Sequence, residues 1–173
     1  MSVTLSIATA TVEDAEAVAG VRNAAAEVLT RLHGRGHWSG VTTVHSVLRG
    51  INTSRVLVAR NGETIVGTLR LAPKRPWAID PTFFADSRHP LYLVDMAVAP
   101  AAQRRGAGRE LLKSAVRTAE GWSADAIRLD AYDHAAGAGP FYEKCGFESV
   151  GRATYRGVPL IYYQCLLQPR GRV

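Results

Sequence analysis

Residues 94–116 read VDMAVAPAAQRRGAGRELLKSAV, with two glycines and three arginines at the joint between a strand-like run and a helix-like one. Upstream, LYLVDMAV (91–98) is almost wholly apolar, the pattern of a strand covered on both faces. Downstream, Leu111, Leu112, Ala115, Val116 and Ala119 mark one helical face, which stops at Gly121. The first turn of a helix presents backbone N–H groups without intrahelical partners, and about half a positive charge. Gly106 and Gly108 let an anion approach that backbone closely, while Gln103, Arg104, Arg105 and Arg109 add donors around it. The segment is suited to seat a phosphate or diphosphate.

The elements on either side set this joint in a fold. VTLSIA (3–8) alternates as a first strand, and Thr11 with Asp14 resembles a capping box opening a helix through Leu29. GRGHWSG breaks that helix, and a short second one is expected over Val44–Leu48. RVLVAR and TIVGTLRLA are strands joined by an Asn-Gly turn. PKRPWAIDPTFFADSRHP (73–90) is a proline-studded loop, and AIRLDAY (126–132) is a further strand. In PFYEKCGF, Pro140 suits a first helical turn and Gly146 a left-handed cap followed by Phe147. ESVGRA and LIYYQCLL form a closing hairpin. The order β-α-α-β-β-β-α-β-α-β-β describes a mixed sheet with helices on both faces, a three-layer α+β domain spanning 1–173. The tail from about residue 168 is expected to be flexible.

Which phosphate ligand would sit at the joint is narrowed by what is missing. No Gly-Lys-Ser/Thr follows four spacers, so this is not a Walker loop. GAGREL opens like a dinucleotide fingerprint, with Asp130 ending the next strand about 20 residues on. Yet Leu111 stands in place of the third glycine, and APAAQ lengthens a turn that should be tight. The plain alternative is an ordinary loop whose glycines ease the turn.

Val98-Ala99-Pro100 followed by Gln103-Arg104-Arg105-Gly106-Ala107-Gly108 resembles the central signature of the GCN5-related N-acetyltransferase (GNAT) family. The segment Phe141–Phe147, FYEKCGF, is similar to a second family motif, and the element order matches from Val3 to about Leu167. The resemblance implies the family's acyl-CoA fold, with β4 and β5 splayed and a bulge in β4. It implies acetyl-CoA as co-substrate, with the diphosphate on the amides of Gln103, Arg104, Arg105, Gly106, Ala107, Gly108 and Arg109. The pantetheine would run beside Met96, Ala97 and Val98 like an added strand, with an N–H near Met96 or Ala97 facing the thioester carbonyl. It implies transfer of the acetyl group to a primary amine of a small molecule or peptide, by direct attack in a ternary complex. A non-catalytic acyl-CoA sensor on the same fold is the alternative. The resemblance also allows a homodimer, for which the sequence fixes no interface.

The chemistry needs a neutral amine and a proton for the departing thiolate. Tyr142 is the candidate acid, because a phenol can donate to the thiolate and the family's matching tyrosine lies near the coenzyme sulfur. The plain alternative is an aromatic that packs the short helix, as Phe141 does. Asp95 is the one charge in LYLVDMAV. Burial would raise its pKa towards that of a base, whereas a basic partner would make it structural. Cys145 reads as a small core residue, since Lys144 faces elsewhere. Where the family often has an asparagine, Asp133 and His134 stand instead, so that contact is not carried over. Trp38, Trp77, Phe83 and Phe84 are candidates to wall an acceptor pocket, with His33, His37 or His89 as relays; each could equally close the core or face water.

The composition bounds these expectations. The chain has 173 residues, 47% hydrophobic and 21% charged, as suits one globular domain. No apolar run approaches the roughly 18 residues of a membrane helix. The start has no basic leader, and two cysteines make neither a disulfide framework nor a zinc set, so a cytoplasmic setting without metal is expected. The net charge of +6 fits solubility or a local anionic ligand; the arginines form no nucleic-acid arm.

Overall fold

A computed structural model describes residues 4–168. Val3, the first residue of the expected opening strand, and the tail from residue 169 lie outside them. The elements are β1 (Leu5–Thr9), α1 (Ala15–His33), α2 (Val44–Thr53), β2 (Arg55–Asn61), β3 (Thr64–Ala72) and β4 (Pro90–Val98). They continue with α3 (Ala107–Gly121), β5 (Ala126–Tyr132), α4 (Gly139–Lys144), β6 (Glu148–Tyr155) and β7 (Val158–Leu166). The strands form one mixed seven-stranded sheet in the order β1-β2-β3-β4-β5-β7-β6. The chain divides into two compact units, Met1–Ala72 with Val94–Ala115, and Pro73–Leu93 with Val116–Val173.

In the first unit, alternation along β2 sends Val56 and Val58 to one face. There they pack with Val18, Ala19 and Val21 of α1 and Val47 of α2. The opposite face carries Ala59 and Gly67, and a methyl group on Gly67 would come within 2.9 Å of Leu111 Cδ1. The absent side chain at Gly67 thus lets the buried Leu111 seat the first turns of α3 against β3.

Helix α2 runs to Thr53 rather than stopping at Leu48. Gly50 looks like a breaker in the sequence, but it is buried, and its Cβ would lie 3.0 Å from the Arg70 Cδ. It is a point of close approach rather than an end. The Thr43 side chain caps the start by accepting from the Ser46 N–H at 3.1 Å.

In the second unit, β5 pairs with β4 in parallel only from Pro90↔Ala126 to Tyr92↔Arg128. With β7 it stays in register from Ala126↔Leu166 to Tyr132↔Leu160. The proline-studded loop is tied down by side chains from this sheet. The Tyr162 hydroxyl donates to the Ala78 carbonyl and accepts from the Asp80 N–H. Arg128 donates to the Ala85 carbonyl at 2.8 Å and lies over the Phe84 ring. The Asp125 carboxylate accepts from the Ser87 hydroxyl and from the N–H groups of Arg88 and His89. Among the described residues no helix is long and apolar enough to cross a membrane.

Candidate functional site

Strand β4 does not run straight into the glycine loop. Asp95 lies inside it with φ 57, in the left-handed region that a non-glycine residue enters at a cost. The chain then makes a single turn over Pro100–Ala102, held by the Ala99 N–H donating to the Val66 carbonyl at 2.8 Å. Gln103 turns its side-chain amide back to the Val98 carbonyl at 3.2 Å, tying the loop to the strand end. Arg104 at φ 60 and Gly106 at φ 91 are both left-handed and bend the loop into the first turn of α3. That turn closes with the Glu110 N–H donating to the Gly106 carbonyl at 3.0 Å.

The amides of Ala107, Gly108 and Arg109 open the helix, where N–H groups have no intrahelical acceptor. A Cβ at Gly106 would meet nothing within 4 Å, so the space beside that glycine is open. Arg104, Arg105 and Arg109 are exposed, and among the described residues no ion pair of the chain engages them. The residues present fit an anion the size of a diphosphate.

Of the two surroundings expected for Asp95, burial as a base or pairing with a basic partner, the structure shows the second. It is exposed rather than buried, because its left-handed backbone turns it away from the core. Its carboxylate takes one guanidinium on each oxygen, Arg22 of α1 at 2.9 Å and Arg70 of β3 at 3.0 Å. The three side chains rim a cleft floored by Val18, Val47 and Val56. Arg22 and Arg70 escaped the sequence analysis. Their signal was faint: Arg22 follows Val18 by four residues on the apolar face of α1, and Arg70 is the lone charge of TIVGTLRLA.

In the second unit, Tyr142 is buried on α4, with its ring 5.8 Å from that of Phe147 and 6.1 Å from that of Tyr163. Burial, and then the charge of Asp130, push its phenol far above the usual tyrosine range, so it keeps its proton. The short helix ends as a Schellman motif, with the Phe147 N–H on the Tyr142 carbonyl and the Gly146 N–H on that of Glu143. Asp130 entered the sequence analysis only as a dinucleotide marker. Its carboxyl is itself raised by burial.

The segment between β5 and α4 is occupied locally: His134 Nδ1 accepts from the Ala136 N–H, and Asp133 pairs with Arg152. Cys145 is a half-buried free thiol rather than a core residue. Phe84 packs against Tyr162 in the core of its own unit, Phe83 meets Tyr162 edge-on but is exposed, Trp77 is exposed, and His89 lies in the loop held by Asp125. Trp38 bonds the Gly34 carbonyl beside His33. Among the described residues no three His, Cys, Asp or Glu side chains gather as a metal site would require.

The pattern of the Acetyltransferase (GNAT) family matches residues 26–147. No curated protein matches the chain. Among solved structures, the chain is similar to the protein yncA of Salmonella typhimurium, solved with its cofactor acetyl-CoA (19% identity, TM-score 0.71, covering 97% of this chain and 96% of that one). It is also similar to the ribosomal-protein-alanine N-acetyltransferase of Brucella melitensis (25%, 0.72, 94% and 99%). A third is the ribosomal-protein-S18-alanine N-acetyltransferase of Escherichia coli (15%, 0.70, 97% and 97%).

Proposed function

The chain belongs to the GNAT acetyltransferase family, and from that premise we propose that it carries an acetyl group from acetyl-CoA to a primary amine by direct attack in a ternary complex. The observation that carries this reading is the paired left-handed turn at Arg104 and Gly106, which bends the loop into the first turn of α3, where N–H groups lack intrahelical acceptors. Gln103, Arg104, Arg105, Gly106, Ala107, Gly108 and Arg109 would hold the diphosphate by backbone, with the three guanidiniums closing around it. Met96, Ala97 and Val98 would run beside the pantetheine arm. Bound acetyl-CoA supplies a thioester carbonyl as the electrophile.

The chain supplies the rest. An N–H at Met96 or Ala97, just past the turn at Asp95, would steady the carbonyl oxygen as it gains charge. Removing such a donor typically costs about 2.7–4 kcal/mol. By the family resemblance, Tyr142 would offer its phenol hydrogen to the departing thiolate as a hydrogen bond. Asp95, with both oxygens already engaged, holds the acceptor side in place rather than acting as a free base.

A thiol-release assay over a panel of amines tests the proposal, with Tyr142→Phe beside the parent protein. Turnover with at least one amine is expected, falling roughly a hundredfold or more in Tyr142→Phe while affinity for acetyl-CoA is kept. Tight coenzyme binding with no amine turned over would instead favour the non-catalytic sensor.

A further inference from the structure

The cleft at Asp95 carries a charge pattern that selects among acceptors. We propose that it takes an amine whose amino group stands close to a carboxylate, an amino-acid-like compound. The carboxylate is received by Arg22 and Arg70, and the ammonium stands beside Asp95, its proton passing to solvent water before the amine attacks. This rests on the acetyltransferase reading, because Asp95 immediately precedes Met96, Ala97 and Val98, the strand proposed to line the acyl donor. An amine held at Asp95 stands inside β4, next to that 96–98 segment.

Charge decides the class first. Two guanidiniums meet one carboxylate, so the rim is net positive. Polyamines and aminoglycosides, which carry several positive charges, are disfavoured there, and a monoanionic group is drawn in. Hydrogen-bonding capacity decides it next. Each guanidinium has five N–H donors. Arg22 places only Nη2 on Asp95, while Arg70 places Nε on Asp95 and Nη1 on the Ser54 hydroxyl at 3.3 Å. Arg70 Nη2 and the other Arg22 nitrogens keep donors for a planar anion.

All three side chains are partly open to solvent, at 24% for Arg22, 28% for Arg70 and 32% for Asp95, so a small molecule can reach them. The cationic side is also preorganised: Gly50 of α2 closes on the Arg70 stem, and Ser54 holds its head. Val18, Val47 and Val56 lie buried beneath the rim, so the ligand is held by the polar groups of the rim itself.

The test uses the full-length protein with acetyl-CoA and matched acceptors: the free amino acids, their carboxamides, and spermidine. Amino acids are expected to be preferred over their carboxamides by roughly tenfold to a hundredfold in kcat/KM, the range for a charged hydrogen bond. Arg22→Gln and Arg70→Gln should erase that preference through KM, and Arg70→Lys should restore part of it. Carboxamides or spermidine used as well as amino acids, or a preference that survives both glutamine variants, would overturn the inference while leaving the acetyltransferase reading intact. Should no amine be turned over, that reading fails. The cleft is then judged by the NMR signals of the Arg22 and Arg70 Nε–H groups on titration with the amino acids. Movement with amino acids and not with carboxamides supports the site; signals that stay put sink it.

Discussion

Asp95 combines two opposed effects, a strained backbone and a doubly paired side chain. A left-handed non-glycine residue costs about 1–2 kcal/mol, and the arginines at 2.9 and 3.0 Å offset part of that. The two effects separate by substitution. Asp95→Ala loses both ion pairs and keeps the strain, whereas Asp95→Gly loses the same pairs and releases it. In an ordinary strand glycine is the less stable of the two. Here Asp95→Gly is expected to be the more stable by about 1 kcal/mol in chemical denaturation. The usual order, alanine above glycine, would show that the left-handed turn stores no strain. The sequence made Asp95 conspicuous, as one charge in an apolar strand, but could not name its partners. Arg22 and Arg70 come from two other elements, and a lone arginine in either looks like a solvated charge. The short helix that carries Tyr142, by contrast, was legible from its own start and stop signals.

At the scale of elements, the strands were the most legible part. β3 and β5 span the largely apolar runs read as strands, since a strand covered on both faces is written as a near-continuous apolar stretch. The end of α2 was not legible, because a glycine chosen for close approach to Arg70 looks the same as one chosen to stop a helix. The run HAAGAGP, between β5 and α4, resolves the same ambiguity the other way. A Cβ at Gly137 would lie 1.9 Å from the Tyr132 carbonyl oxygen, a backbone atom that cannot swing aside. Gly137 also donates its N–H to the His134 carbonyl at 2.8 Å, closing the turn that leads to α4. Gly137→Ala must therefore move the backbone and should cost about 2–3 kcal/mol. Thermal melting checks this: a loss under 0.5 kcal/mol would mean that the turn relaxes freely.

The whole chain poses a question of cooperativity. Its two compact units meet along the sequence at Ala72/Pro73, Leu93/Val94 and Ala115/Val116, and the last two of these boundaries fall inside regular elements, β4 and α3. A strand or helix cannot be half melted without fraying its remainder, so we propose that 1–173 unfolds as one domain. Acid provides the probe, because each unit carries carboxylates held below their ordinary range, Glu13 and Asp14 in the first and Asp80 and Asp125 in the second. In the first unit, burial opposes the charge of Asp14, but the Thr11 N–H and Arg60 outweigh it. In the second, burial opposes Asp125, and the Ser87 hydroxyl with the Arg88 and His89 amides outweighs it. A folded pKa below the unfolded value of about 3.9 gives stability that is fully present above that value and lost as pH falls through the folded one. Scanning calorimetry from pH 5 down to about 2.5 should thus show a single transition moving to lower temperature. Asp14→Asn should lower that whole transition at pH 5 and flatten its acid dependence. Two transitions, with Asp14→Asn moving only one of them, would establish that the units melt independently and that the elements they share do not couple them.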